Sequence, residues 1–123
     1  MSNFVLVVDD DQSIREALCE LLEDEGRRAR GAANGQEALE ILRGADRPCV
    51  ILLDIMMPVM DGPTFRAEQL KDPRLRGIPV AVITAGGKSA AASVDAQALL
   101  LKPLSMEDVL DVVERFCPGP AAA

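Results

Sequence analysis

The sequence predicts an α/β fold built on a doubly wound parallel sheet of five strands, and three observations predict it. Short β-favouring apolar runs alternate five times with stretches of helical period. Several of these runs are apolar at consecutive positions, as strands covered on both faces must be. Polar side chains gather just after the runs, which places them along one edge of a parallel sheet. At 123 residues the chain suits one domain. Residues 1–117 are expected to form it, with 118–123 as a flexible C-terminal tail.

The elements follow in order. Phe4-Val5-Leu6-Val7-Val8 is the first strand, and it ends in Asp9, Asp10 and Asp11. Ile14, Ala17, Leu18, Leu21 and Leu22 then recur at spacings of three and four, the stripe of an amphipathic helix. Its start is either a Ser13-x-x-Glu16 capping box or an Asp11 N-cap, and Gly26 is its stop. Arg28 to Ala32 is a second strand, carrying little apolar signal. Asn34-Gly35 opens a second helix with Ala38, Leu39 and Leu42 on one face. Cys49-Val50-Ile51-Leu52-Leu53 is a third strand, ending at Asp54. Pro58, Gly62 and Pro63 mark a loop before a third helix that runs to about Lys71. Val80-Ala81-Val82-Ile83-Thr84 and Leu99-Leu100-Leu101 are the last two strands, the latter followed by Lys102-Pro103. Ser105-x-x-Asp108 caps a final helix carrying Val109, Val112, Val113 and Phe116.

Composition removes whole classes of function. Hydrophobic residues make up 49% and charged residues 27%, which is globular rather than disordered usage. A net charge of −7 argues against nucleic-acid binding, which needs clustered Lys and Arg. With no His there is no Ser/His/Asp triad, no His-ligated metal and no imidazole base. With no Trp or Tyr and three Phe, a base-stacking platform is not expected. Cys19, Cys49 and Cys117 are odd in number and far apart, and no C-x-x-C exists. They read as reduced, buried thiols of a cytoplasmic protein. Met1-Ser2-Asn3-Phe4 lacks the positive start of a signal peptide, and no apolar run approaches the ~18 residues of a membrane span.

Chemistry gathers at the carboxyl ends of the strands. If the first and third strands are neighbours, Asp9, Asp10 and Asp54 meet in one shallow pocket. Two carboxylates ~4 Å apart repel by about 1–4 kcal/mol across the water-to-surface dielectric range. Such a cluster raises a pKa or recruits a cation, and oxygen-only ligands favour Mg²⁺. Thr84 and Lys102 add a hydroxyl and an ammonium, both suited to a phosphoryl group.

On these segments the chain resembles a response regulator receiver domain of bacterial two-component signalling. The matching stretches are Val7 to Asp11, Leu53 to Gly62, Ile83-Thr84-Ala85 and Leu101-Lys102-Pro103, and together they extend over nearly the whole chain. The resemblance implies a flavodoxin-like strand order of 2-1-3-4-5 flanked by five helices. It implies that Asp54 accepts phosphate from a partner's phosphohistidine. Asp10 is then the direct Mg²⁺ ligand, Asp9 holds the metal through water, and Met56 contributes a backbone carbonyl. Thr84 follows the phosphoryl group when the domain switches, Lys102 pairs with a phosphoryl oxygen, and Pro103 follows a cis peptide bond. Because the chain has no His, the donor is a histidine kinase, a histidine phosphotransfer protein or a small molecule.

Three departures stand out. Receivers carry an aromatic three residues before the lysine, and this chain has Leu99. Lys102 follows Thr84 by 18 positions (102 − 84), about one helical turn short of the family norm. The stretch between them is rich in Gly, Ala and Ser, so the fourth helix is expected to be shortened or irregular. The positions two beyond the acceptor and two beyond the threonine are Met56 and Gly86. Neither side chain can orient an attacking water, which predicts a long-lived phosphorylated state.

Competing readings are weaker. Asp11 is better explained as a helix cap, and Met56, Met57 and Met60 as loop packing. Gly87-Lys88-Ser89 resembles the end of a phosphate-binding P-loop, but position 82 is valine where that motif needs glycine. A haloacid-dehalogenase-type phosphatase needs a second aspartate where Met56 stands. The expected function is a phospho-accepting switch whose output is binding to an unidentified downstream protein, without nucleic-acid or membrane contact and without enzymatic action beyond its own phosphorylation and dephosphorylation. The alternatives are a receiver-like adaptor that binds constitutively and a module excised from a larger regulator or hybrid kinase.

Overall fold

A computed structural model describes residues 3–44, 46–55, 60–85 and 96–117. Their elements are β1 (Asn3–Val8), α1 (Gln12–Asp24), β2 (Arg28–Ala32), α2 (Gly35–Leu42), β3 (Arg47–Asp54), α3 (Gly62–Lys71), β4 (Val80–Thr84), β5 (Ala98–Leu101) and α4 (Met106–Phe116). The five strands form one parallel sheet in the order β2-β1-β3-β4-β5. The helix expected between β4 and β5 falls on residues 86–95, and the expected tail on 118–123, both outside the described residues.

Strand alternation divides the core into two layers. Phe4, Leu6, Val8, Ile51 and Leu53 point to one face, against Ala38, Leu39 and Leu42 of α2 and Phe65 of α3. Val5, Val7, Val50, Leu52, Ala81 and Ile83 point to the other, against Leu18 and Leu22 of α1 and Val109 and Val113 of α4. Central strands buried on both faces explain the unbroken apolar runs. Each fully buried Leu, Ile, Val or Phe contributes about 1.5–3 kcal/mol. β2 carries little of this: only Ala32 of its five residues is buried, as befits an edge strand.

The helix starts are capped by side chains. Asp11, rather than a Ser13-x-x-Glu16 box, caps α1, accepting from the amides of Ser13 and Ile14. Asn34, Asp61 and Ser105 cap α2, α3 and α4 in the same way. Gly26, at φ 82°, takes the left-handed conformation just past α1 and donates to Glu23 O at 3.0 Å.

The cysteines do not all remain thiols. Cys49 of β3 and Cys117 at the end of α4 form a disulfide, their Cα atoms 5.4 Å apart across a sequence separation of 68. The reading of three reduced thiols is corrected for these two. The sequence distance conceals the pair because α4 runs back along the sheet and ends beside the start of β3. Arg27 clasps the same end of α4: its Nη1 donates to Cys117 O at 2.7 Å, and its Nη2 lies 3.6 Å from Glu114 Oε2. Cys19 is free and half-buried; burial chiefly, and Glu23 beside it, push its thiol pKa up, so it is a poor nucleophile.

Candidate functional site

Strand register assembles the site. Val8 of β1 pairs with Leu53 of β3, so Asp9, the first residue past β1, lies beside Asp54, the last residue of β3. Asp54 pairs with Ile83 of β4, which puts Thr84 one step beyond, and Thr84 in turn pairs with Leu101, just before Lys102. Lys102 N donates to Thr84 O at 3.0 Å, and the Lys102–Pro103 peptide bond is cis. Four strand ends thereby present four polar residues along one edge of the sheet.

One carboxylate oxygen from each of Asp9, Asp10 and Asp54 falls within 4.8 Å of the others. Asp9 and Asp54 are buried, at 0% and 4% exposure, whereas Asp10 is exposed. Lys102 Nζ lies 3.8 Å from Asp54 Oδ2. Three carboxyl groups face one ammonium there, an acidic excess that a divalent cation offsets. Asp9 Oδ1 accepts from the amide of Asp11 at 2.9 Å, while Asp9 Oδ2 is buried with no hydrogen-bond partner. A buried, unmatched carboxylate oxygen is costly. A hydrated hard cation would satisfy it through a bound water, and an all-oxygen donor set fits Mg²⁺.

Thr84 is buried at 3% exposure. Leu99 is half-buried and packs against the layer beneath α2 and α3. Met56 and Gly86 lie outside the described residues. Asp61, which caps α3, has its carboxyl held below the usual range, chiefly by the backbone amide of Thr64.

The sequence reading passed over Arg15. Its Nη1 donates to the backbone carbonyl of Asp9 at 2.7 Å. No motif announces this contact; the signals available were an arginine one turn into α1 and a glycine, Gly31, opposite it on β2. Gly35 and Gly62 are needed for another reason. A Cβ on Gly35 would fall 2.8 Å from Met60, and one on Gly62 would fall 2.9 Å from Ile55. The glycine amides donate to the same two residues, Gly35 N to Met60 O and Gly62 N to Ile55 O.

A family model for the response regulator receiver domain matches residues 5–114. The chain belongs to the response regulator receiver family. Response regulator MprA of Mycobacterium ulcerans is 39% identical to this receiver over 89% of the chain and 48% of its own length. Sporulation initiation phosphotransferase F of Bacillus subtilis is 33% identical over 96% of each chain. The chemotaxis protein CheY4 of Vibrio cholerae is similar in structure at a TM-score of 0.83 and 32% identity, over 94% of this chain and 98% of its own. The receiver thus spans about half the length of the MprA relatives and nearly all of phosphotransferase F. It is a phospho-accepting switch of two-component and phosphorelay signalling rather than a metabolic enzyme. No helix among the described residues is long and apolar enough to cross a membrane.

Proposed function

We propose that Asp54 is the phosphoryl acceptor of this receiver, in a Mg²⁺-dependent transfer that the domain itself promotes. The observation that carries this reading is the meeting of one carboxylate oxygen from each of Asp9, Asp10 and Asp54 within 4.8 Å, with Lys102 3.8 Å from Asp54 and Asp9 Oδ2 buried and unpartnered. Asp10 and Asp54 would ligate the cation directly, Asp9 would hold it through water, and Met56 would contribute its backbone carbonyl. Bound there, Mg²⁺ supplies the positive charge that offsets repulsion between a carboxylate and a phosphoanion. An Asp54 oxygen attacks phosphorus while the donor's P–N bond breaks, and the departing imidazole takes up a proton. Lys102 pairs with one phosphoryl oxygen and the Thr84 hydroxyl donates to another. The physiological donor in this reading is a histidine kinase or a histidine phosphotransfer protein, and this sequence, which has no His, does not supply the phosphohistidine.

The output is altered binding to a downstream protein, transmitted past the half-buried Leu99 without an aromatic side chain. The excess of acidic residues supports an output without nucleic-acid contact. We take residues 1–117 as the domain and the cytoplasm as its compartment. A reducing cytoplasm opposes the Cys49–Cys117 disulfide, so thiol titration of freshly lysed cells tests that assignment.

Incubation with Mg²⁺ and a small acyl phosphate, followed by intact mass, tests the chemistry. Wild type should gain ~80 Da, one phosphoryl group, and Asp54→Asn should gain nothing. Asp10→Asn should raise the Mg²⁺ concentration required. A gain that persists in Asp54→Asn moves the acceptor to another residue.

A further inference from the structure

The geometry points to Arg15 as a positioning residue for the cation site, acting through the backbone of Asp9; the inference rests on the reading of Asp9, Asp10 and Asp54 as that site. Asp9 has four polar atoms. Its amide donates to Ala32 O of β2 at 3.1 Å. Its carbonyl accepts from Arg15 Nη1 at 2.7 Å. Its Oδ1 accepts from the Asp11 amide at 2.9 Å. Only Oδ2, buried and unpartnered, is left for a ligand. Holding the carbonyl fixes the plane of the Asp9–Asp10 peptide, and that plane sets the direction in which Asp10 leaves the strand. One guanidinium contact therefore orients two of the three carboxylates.

The arginine is itself seated. Its stem crosses Gly31 of β2, where an added Cβ would fall 3.0 Å from both Cγ and Cδ of Arg15. The missing side chain at position 31 is a slot, and β2 thereby braces a loop to which it contributes no ligand. The guanidinium is bound to a neutral carbonyl in this contact, so it organises the aspartates by geometry rather than by charge pairing.

Charge and geometry predict opposite outcomes. If Arg15 were merely a nearby positive charge, removing it would tighten binding of a cation. If it positions the loop, removing it weakens binding, as loss of an outer partner of a metal ligand does by roughly 10–100-fold. The experiment is calorimetric titration of the unphosphorylated full chain with MgCl₂, alongside melting curves in chelator. Arg15→Met keeps most of the stem and removes both charge and donor; its Kd for Mg²⁺ should rise about tenfold. Arg15→Lys keeps the charge without the fork and should also weaken binding. Gly31→Ala keeps the arginine but crowds its stem, and should raise Kd by a smaller factor. It serves as the independent variant should Arg15→Met not fold. In phosphorylation assays the variants should need more Mg²⁺ yet reach the wild-type extent at saturation, a split that general loss of structure does not produce. Unchanged or tighter Mg²⁺ binding in Arg15→Met, or in Gly31→Ala where that stands in, overturns the role of Arg15. Absence of Mg²⁺ binding by wild type overturns the cation-site reading beneath it, and the two failures are distinct.

Discussion

Asp54 sits between opposing influences. Oxygens of Asp9 and Asp10 approach it within 4.8 Å, and Lys102 Nζ stands 3.8 Å from its Oδ2. Two like charges outweigh one opposite charge, so Asp54→Asn should stabilise the protein in chelator by about 1–2 kcal/mol, read as a higher melting temperature. Coincident melting curves for wild type and variant would remove the crowding argument. Asp61 illustrates a different carboxylate. It is almost fully exposed and acts as a cap, so Asp61→Ala should cost only about 0.5–1 kcal/mol at neutral pH. Its folded pKa lies below the unfolded one, so its contribution is present above the unfolded value and is lost as pH falls through the folded value. The gap between wild type and Asp61→Ala should accordingly shrink on acidification below about pH 4, and a constant gap would place the stabilisation elsewhere than in the ionised cap.

At the scale of elements, α3 is held by a polar network rather than by a clean apolar stripe. Gln69 is fully buried, and its Nε2 donates to Leu75 O at 2.9 Å and to Ile78 O at 3.0 Å. Its Oε1 accepts from the buried Arg66 Nη1 at 2.8 Å. That side chain folds the connection between α3 and β4 so that Leu75 and Ile78 reach the core. Gln69→Leu should cost about 3 kcal/mol or more, because two carbonyls and a guanidinium each lose a partner inside the protein. A denaturant midpoint within error of wild type would show that water replaces the glutamine. The same element marks the limit of the sequence reading. β1, β3 and β4 were legible because both of their faces are buried, which writes itself as an apolar run. Asp9, Asp54, Thr84 and Lys102 were legible because each directly follows or ends such a run. Gln69 and Arg66 were not, since a buried polar side chain looks like a surface one until its partners are known. Arg15 escaped for a related reason: its acceptor is a backbone carbonyl, which carries no residue identity.

Across the whole molecule, the disulfide closes the longest covalent span. Constraining a loop of 68 residues' separation is worth roughly 4 kcal/mol in the chain-entropy account. Cys49→Ser should therefore lower the melting temperature by about fifteen degrees without reductant, and the difference should vanish in excess dithiothreitol. A wild type that melts identically with and without reductant would show that the bond adds nothing to stability. Cysteine count and spacing concealed this pair, because only the return of α4 along the sheet brings position 117 back to position 49.

That bond also changes what kind of covalent object the receiver is. With Cys49 joined to Cys117, the polypeptide becomes a ring with a long N-terminal arm and a six-residue C-terminal extension. Asp54, Thr84 and Lys102 ride on the ring; Asp9, Asp10 and Arg15 ride on the arm. A protease that nicks the ring leaves everything in one piece, whereas a nick in the arm anywhere between α1 and β3 yields two fragments held together by packing alone. The seam common to every such cut is the β1–β3 ladder, with Val8 laid beside Leu53. The charged cluster straddles that seam, so a molecule cut in the arm keeps its acceptor and its lysine on one fragment and the remaining carboxylates on the other, and binding of a divalent cation becomes a measure of whether the two halves are still zipped together.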